Sequence, residues 1–410
     1  MSQTKKTNFL GLPENVIFCK KCVISNQRPS SVIEFKNKQE EAKPTIDFDD
    51  NEICSACNYN SEKEKINWED REKDLIDLCK SYKSKKGNYD CVVPGSGGKD
   101  SAYTAHVLKY KYGMNPITVT WAPHAYTNIG WQNFQNWSHI GGFDNILFTP
   151  NGKLHRYLTK IAFLNLLHPF QPFIIGQRMI GPRIASRFGV DLIFYGENQA
   201  EYGNKIDENY KTKMDKKFFT YENRDELLFG GKKIDEIINT TEFKFNDFNC
   251  YLPLDKNEFK GLDLNYQYLG YYLKWDPQEC FYYASKHTGF KPNSERTEGS
   301  YSKYSSIDDK IDNFHYYTTL IKFGIGRATY DAAQEIRNEK ISRDEGSQLV
   351  RKFDEEFPKK YFKEFLDYIS LTEDQFHETV DRFRSPHLWE KDGDEWILKK
   401  AVWHDQKRLD

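Results

Sequence analysis

Between residues 89 and 198 the apolar positions follow two rhythms. Short runs such as "YDCVVP", "NPITVTWAP", "DNILFTP" and "DLIFYGEN" hold neighbouring apolar residues and predict strands buried on both faces. Between them, "SAYTAHVLKYKYG", "KLHRYLTKIAFLNLL" and "GQRMIGPRIASRFGV" repeat apolar residues three and four apart, the period of a helix. Gly113 ends the first of these helices. Strands alternating with helices predict a parallel sheet covered on both faces. Ligands of such sheets bind beyond the carboxyl ends of the strands. That is where "PGSGGKDS" and "GENQAEYG" fall.

The flanks have other patterns. "NWEDREKDLIDLCKSYKSKKG" predicts a helix with Leu75, Ile76, Leu78, Cys79 and Tyr82 along one stripe. From Gly203 to Leu262 the chain turns Lys-, Asp- and Asn-rich, and predicts an excursion or lid. Beyond residue 300, "TYDAAQEIRNEK", "SRDEGSQLVRKFDEEF" and "KKYFKEFLDYISL" are amphipathic and rich in charge pairs four apart. Three regions result: a small module over 1–66, an α/β domain over 67–295 with its excursion at about 203–262, and a helical region over 296–410.

Composition narrows the class. With 410 residues, 38% of them hydrophobic, the chain can bury a large core over two or three domains. Apolar runs such as Ile161 to Leu167 are too short to span a membrane, and the N-terminus lacks the apolar segment of a signal peptide. The expected location is cytoplasmic, with no membrane partner. A net charge of −2 argues against chain-wide affinity for nucleic acid.

The cysteines change the picture of the first module. Cys19 and Cys22 form one CxxC pair, and Cys54 and Cys57 another. In a reducing compartment such pairs are thiolate metal ligands rather than disulfides. Four sulfurs suit a closed, structural Zn2+ site, so a zinc-ribbon-like module is expected. Cys79, Cys91, Cys250 and Cys280 read as packed thiols.

The glycine cluster after "YDCVVP" is not a Walker A loop. Gly98-Lys99 is followed by Asp100, and Val93 stands where the first glycine belongs. What remains is Ser96-Gly97-Gly98-Lys99-Asp100-Ser101 between a strand and a helix. Glycines let backbone N–H groups approach an anion, and the helix start adds partial positive charge. Ser96 and Ser101 add hydroxyl donors. Asp100 would repel phosphate unless a cation lay between them, so it reads as an Mg2+ ligand.

In this setting "SGGKDS" resembles the PP-loop of the ATP pyrophosphatase superfamily, which cleaves ATP between its α and β phosphates. The resemblance implies a PP-loop (adenine nucleotide alpha hydrolase-like) fold, ATP as cosubstrate, and a loop that holds pyrophosphate while AMP passes to a substrate oxygen. A tRNA thiolase of this superfamily would need a sulfur-carrying cysteine, often in a CxxC pair after the loop, and no CxxC follows Cys57. A self-contained glutamine-dependent ligase would need a glutaminase cysteine. No cysteine lies in Gly-x-Cys-x-Gly, and position 2 is Ser2.

Over about 330 residues the order of "PGSGGKDS", "FYGENQAEYG", "YLGYYLKWDPQECFYYASKHTGF", "YSSIDDKID" and "KFGIGRATYDAAQEIRNEKISRDEG", after the CxxC pairs, resembles the N-acetyl sugar amidotransferase family. That family serves surface-polysaccharide, lipopolysaccharide and pseudaminic-acid-type pathways. The resemblance implies conversion of a sugar acetamido group, free or nucleotide-linked, into an acetamidino group, with ammonia from a separate glutaminase subunit. The alternative is a PP-loop tRNA thiolase or another adenylating ligase.

Ser96, Gly97, Gly98, Asp100 and Ser101 are the expected pyrophosphate and magnesium residues. Lys99 either aids phosphate binding or faces solvent. The strand end at Thr120 to Ala122 is where such sheets receive adenine. Gly196, Glu197, Asn198 and Glu201 are candidates for substrate or magnesium contact, against the plainer reading of a capped helix start. Asp308 and Asp309 form either a second acidic cluster or an N-capped helix start. Arg327 in "GIGRAT" offers a cation to an anion or sugar. His106, His124, His139, His287 and His315 read as packed or surface residues, and the aromatics at 266–283 as core.

Overall fold

Five parallel strands carry the fold: β1 (Cys91–Pro94), β2 (Pro116–Trp121), β3 (Asp144–Phe148), β4 (Leu192–Tyr195) and β5 (Asn265–Tyr268), in the order β3-β2-β1-β4-β5. The structure, a computed structural model, describes residues 10–39, 41–84, 87–204, 213, 215–254 and 263–404. Helices α1 (Ser55–Lys63) and α2 (Trp68–Tyr82) precede the sheet. Helices α3 (Lys99–Tyr110), α4 (Asn128–His139), α5 (Gly152–Leu166) and α6 (Gln171–Phe188) connect its first four strands.

Alternation along each strand sorts the two faces. Val92, Ile117, Val119 and Ile193 pack against α5 and α6, whereas Cys91, Val93, Leu192 and Phe194 pack against α2 and α3. The chain leaves β1 towards β2 on one side and returns through α6 to β4 on the other. Their diverging ends open a crevice at this switch point.

Two elements escape the hydrophobic pattern. Strand β5, "NYQY", buries Asn265 and Gln267 in its interior, and Gln267 accepts from the Tyr272 hydroxyl (2.6 Å) and donates to Asn265 (2.7 Å). Satisfied polar groups replace the apolar signal there. Helix α4 is capped by Thr127, whose hydroxyl accepts from the Gly130 N–H at 3.0 Å.

The expected lid is a packed insert where it is described. Phe219, Leu227, Phe229, Ile237, Phe248 and Tyr251 lie buried in one cluster with residues of α5 and α6. Residues 205–212, 214 and 255–262 of the excursion lie outside the described residues.

The last third adds α7 (Pro277–His287), α8 (Asp312–Phe323), α9 (Arg327–Arg337), α10 (Arg343–Phe353), α11 (Phe362–Ile369) and α12 (Glu373–Arg382). It then ends in an antiparallel hairpin, β6 (Trp389–Asp392) and β7 (Glu395–Leu398), so the region is not wholly helical. Gly393, with φ of +62°, makes the two-residue turn between them. One apolar cluster joins Leu10, Val23, Ile24 and Ile46 of the N-terminal module to Phe314, Ile321, Phe365 and Trp389. The first and last regions thus share a core. Among the described residues no helix is long and apolar enough to cross a membrane.

Candidate active site and four-cysteine centre

At the end of β1 the chain turns through Gly95 to Gly98 into α3. A Cβ on Gly95 would lie 2.1 Å from the Ser101 Cβ. Gly97 has φ of +83°, and its Cβ would meet α4 at 3.0 Å from Asn133 O and Phe134 Cα. No side chain caps α3 at Gly98, so its leading N–H groups face the loop's concavity. Gly97→Ala is expected to cost about 1–2 kcal/mol in stability. Denaturant melts of both proteins measure this, and equal stability would show that the positive φ and the close approach to α4 do not require glycine.

Charge gathers at the loop's mouth. Lys99 Nζ lies 2.5 Å from Asp100 Oδ2, and Glu197 Oε1 accepts from the Tyr202 hydroxyl at 2.8 Å. Burial and then the Asp100 charge push the Glu197 carboxyl above its usual range. Burial works against the Lys99 ammonium, but the charge and hydrogen bond of Asp100 hold its pKa above the ordinary value. Asp100 Oδ1 is buried and has no hydrogen-bond partner among the described residues. Two carboxylates, one with an orphaned oxygen, at the mouth of a glycine loop fit the donor set of a magnesium ion.

Lys99, Asp100, Glu197 and Arg327 line one cavity of about 410 Å3. The far wall comes from the last region, including Tyr304, Ser305 and Tyr316. Arg327 opens α9. Its Nη2 lies 3.0 Å from Asp331 Oδ1, and its Nη1 donates to the Tyr316 hydroxyl. Burial opposes the guanidinium charge, yet Asp331, Tyr316 and Asp312 together more than offset it and hold the Arg327 pKa above its ordinary value.

A smaller adjoining cavity of about 160 Å3 holds Ser96, Gly98 and Asp100 opposite Ser305, Asp308 and Arg327. Residues 305–309 do not start a helix, because α8 begins only at Asp312. They form a strap pressed against α4, where a Cβ on Gly130 would fall 2.4 Å from Asp308 Cα. The two aspartates have separate tasks. Burial raises the Asp308 pKa, against a hydrogen bond from Ser96 in the loop. Asp309 anchors the strap by accepting from the His124 backbone N–H (2.7 Å) and pairing with its ring Nδ1 (2.8 Å).

Other candidates lie behind the cavity. A Cβ on Gly196 would meet the Trp275 ring at 2.9 Å. Asn198 is fully buried, and its Oδ1 accepts from the Ala200 N–H at 3.2 Å. Glu201 pairs with the buried Lys63 at 2.8 Å and fastens the end of β4 to α1. Thr120, Trp121 and Ala122 are buried and line neither cavity. Tyr202, Asp276, Ser302, Tyr304, Tyr316 and Asp331 reach the larger cavity without any local sequence signal.

Asp354 sets the start of α9, and with it Arg327. It accepts from Gly326 N–H (2.8 Å), Thr329 N–H (3.0 Å) and the Thr329 hydroxyl (2.6 Å). Burial nevertheless pushes its pKa up to about 6. A carboxyl raised by folding destabilises the fold wherever it is ionised. The penalty is absent below about pH 4, grows between about 4 and 6, and is complete above that. Asp354→Asn should therefore lessen the loss of stability between about pH 4 and 7 by up to about 3 kcal/mol. Melting curves of both proteins across that range test this, and parallel profiles would contradict it.

The N-terminal cysteines converge. Phe18 pairs with Ser25 across the turn bearing Cys19 and Cys22, and Phe48 pairs with Cys54. The four sulfurs lie within 4.8 Å of one another and all four residues are buried. Cys19 and Cys57 Sγ are 3.8 Å apart, and Cys22 and Cys54 Sγ 3.7 Å. A tetrahedron of zinc–sulfur bonds of about 2.3 Å has edges of about 3.8 Å. The centre therefore fits a metal such as zinc. Cys19 Sγ also accepts N–H groups from Lys21, Cys22 and Cys54 at 3.3–3.4 Å. Arg343 of α10 donates to the Cys19 and Cys22 carbonyls at 3.2 Å, tying the centre to the last region.

Residues 298–402 match the family model of the LPS biosynthesis protein WbpG-like, C-terminal domain. An uncharacterized protein of Methanocaldococcus jannaschii, MJ1599, is 32% identical over 77 residues, 19% of this chain and 27% of that protein, so the chain matches about a quarter of that relative's length. The U34-tRNA thiolase NcsA from Methanococcus maripaludis, solved with its [4Fe-4S] cluster, aligns over 77% of this chain and 88% of its own at 12% identity, with a TM-score of 0.28. The family match falls on the segment that supplies Ser302, Tyr304, Ser305 and Arg327 to the cavity.

Proposed function

We propose that this chain is a cytoplasmic PP-loop amidotransferase that converts the acetamido group of an N-acetyl sugar, free or nucleotide-linked, into an acetamidino group. The observation that carries the reading is the single cavity in which Lys99 and Asp100 of the loop, Glu197 of the β4 end and Arg327 of α9 meet. The match of the cavity-forming segment to a lipopolysaccharide-biosynthesis family supports a sugar of surface-polysaccharide or pseudaminic-acid type.

An amide carbon is a poor electrophile and its oxygen a poor leaving group. The acetamido oxygen attacks the α-phosphorus of ATP, the bond to the β-phosphate oxygen breaks, and pyrophosphate leaves. Ammonia then adds to the activated carbon, and AMP departs with the former amide oxygen, leaving the amidine. Backbone N–H groups of Ser96 to Ser101 cradle the pyrophosphate, and Lys99 and Arg327 offset its charge. Asp100 and Glu197 would hold magnesium, which supplies charge neutralisation between the phosphates when bound. No nucleophilic side chain is needed, since positioning and electrostatics provide the rate. Cys19, Cys22, Cys54 and Cys57 hold zinc in a structural role.

The nitrogen source is a separate glutaminase. Free ammonia is scarce at neutral pH because ammonium dominates. The purified chain should form amidine from its N-acetylated sugar with ATP, magnesium and high ammonium salt, better at alkaline pH. Amide-labelled glutamine should give no labelled product until a glutaminase is added. Efficient transfer from glutamine by this chain alone would contradict the separate partner. Sulfur incorporation into tRNA would establish the thiolase reading instead.

A further inference from the structure

A third cavity, of about 260 Å3, lies between the N-terminal module, α6 and α8. It shares His315, Thr319 and Tyr330 with the cavity at the loop, so those residues form a common wall. The proposed reaction makes no use of it.

Its charge is unbalanced. Lys43, Arg178 and Lys322 line it, and each donates to a backbone carbonyl rather than a carboxylate: Lys43 to Lys38 O (3.3 Å), Arg178 to Val32 O (3.1 Å) and Lys322 to Leu166 O (3.0 Å). Among the described lining residues Glu34 is the one carboxylate, and it faces His168 Nε2 at 3.3 Å. Ser30, 7% exposed, lines the same space with a buried hydroxyl that has no partner among the described residues.

Half-buried cations that share a single carboxylate among them are costly. Burial, then the charge of Lys43, pushes the Lys322 ammonium down to about 7, against the pull of Glu34. A bound anion would relieve this field and give the Ser30 hydroxyl an acceptor. We infer that this cavity binds a small oxyanion, a phosphate or carboxylate group, between Arg178, Lys322 and the Ser30 hydroxyl.

Sulfate is a suitable probe, because its charge does not change between about pH 6 and 8.5, whereas that of Lys322 does. Calorimetric titration of the full chain with sodium sulfate should show a dissociation constant about tenfold or more weaker at the higher pH. Lys43, Arg178, Glu34, His168, His315 and Tyr330 are the other charged or titratable groups that line the cavity with Lys322 among the described residues. Lys322→Met should weaken sulfate binding and flatten the pH dependence, whereas His168→Gln should retain it. Arg178→Gln provides a second test of affinity should Lys322→Met fold poorly. A parallel titration with malonate assigns the preferred group: tighter malonate binding indicates a carboxylate, and tighter sulfate binding a phosphate. Sulfate binding here is independent of the reaction proposed above, and anions held at the loop would be insensitive to both cavity variants. Absence of binding by either anion would overturn the inference. Binding unchanged in Lys322→Met and Arg178→Gln would do the same.

Discussion

Asp100→Ala is expected to lower pyrophosphate release by on the order of 1,000-fold, the scale seen when a key electrostatic partner of a transition state is removed. Asp100 sits in the first turn of α3, where a phosphate would bind, and a carboxylate there would repel it. Its Oδ1 is buried and unpartnered among the described residues while Oδ2 is taken by Lys99, so one oxygen is placed to meet a cation. The substitution also releases Lys99 from its ion pair, which should strengthen simple anion binding even as turnover is lost. ATP affinity and turnover would then move in opposite directions. Circular dichroism and zinc content should match the parent protein. A variant that keeps near-parental turnover would remove Asp100 from the phosphate chemistry.

Cys54→Ser should act on the whole fold. A closed four-thiolate zinc site contributes on the order of 10 kcal/mol of binding free energy, and loss of one ligand forfeits much of it. The effect should not stay local. The module shares its apolar core with α8 and α11, and Arg343 and Arg337 reach from α10 and α9 to the Cys19–Cys22 turn and to Glu201. The expected results are about one zinc per chain in the parent, loss of zinc in the variant, and loss of solubility or thermal stability before any change in the chemistry. A stable, active, metal-free protein would remove the zinc assignment.

The parts legible in the sequence were those whose chemistry is local. The loop declares itself because glycines, hydroxyls and Asp100 must be contiguous between a strand and a helix. The cysteines declare themselves because a metal turn fixes the spacing within each pair. Strands β1, β2 and β4 are buried on both faces, so their largely apolar runs stand out. Strand β5 was not legible, since Asn265 and Gln267 satisfy each other and their neighbours by hydrogen bonds rather than by apolar character. The hairpin at 389–398 was read as part of a helical region because its outer face is charged, although Asp-Gly at 392–393 was a turn signal.

The far wall of the cavity was the least legible. Tyr304, Tyr316 and Asp331 meet the loop only through tertiary packing, and no short spacing encodes it. Ser305 to Asp309 read equally well as an acidic cluster or as a helix start, because serines before aspartates are good caps. The side chains instead serve the strap, with Asp309 spent on His124.

The most direct measurement follows the oxygen. An N-acetyl sugar labelled with 18O in its acetamido carbonyl is incubated with the chain, ATP, magnesium and ammonium salt, and the nucleotide products are analysed by mass spectrometry. The expected result is AMP carrying one 18O, with unlabelled pyrophosphate in equal amount. ADP, with the label in inorganic phosphate, would contradict adenylation at this site.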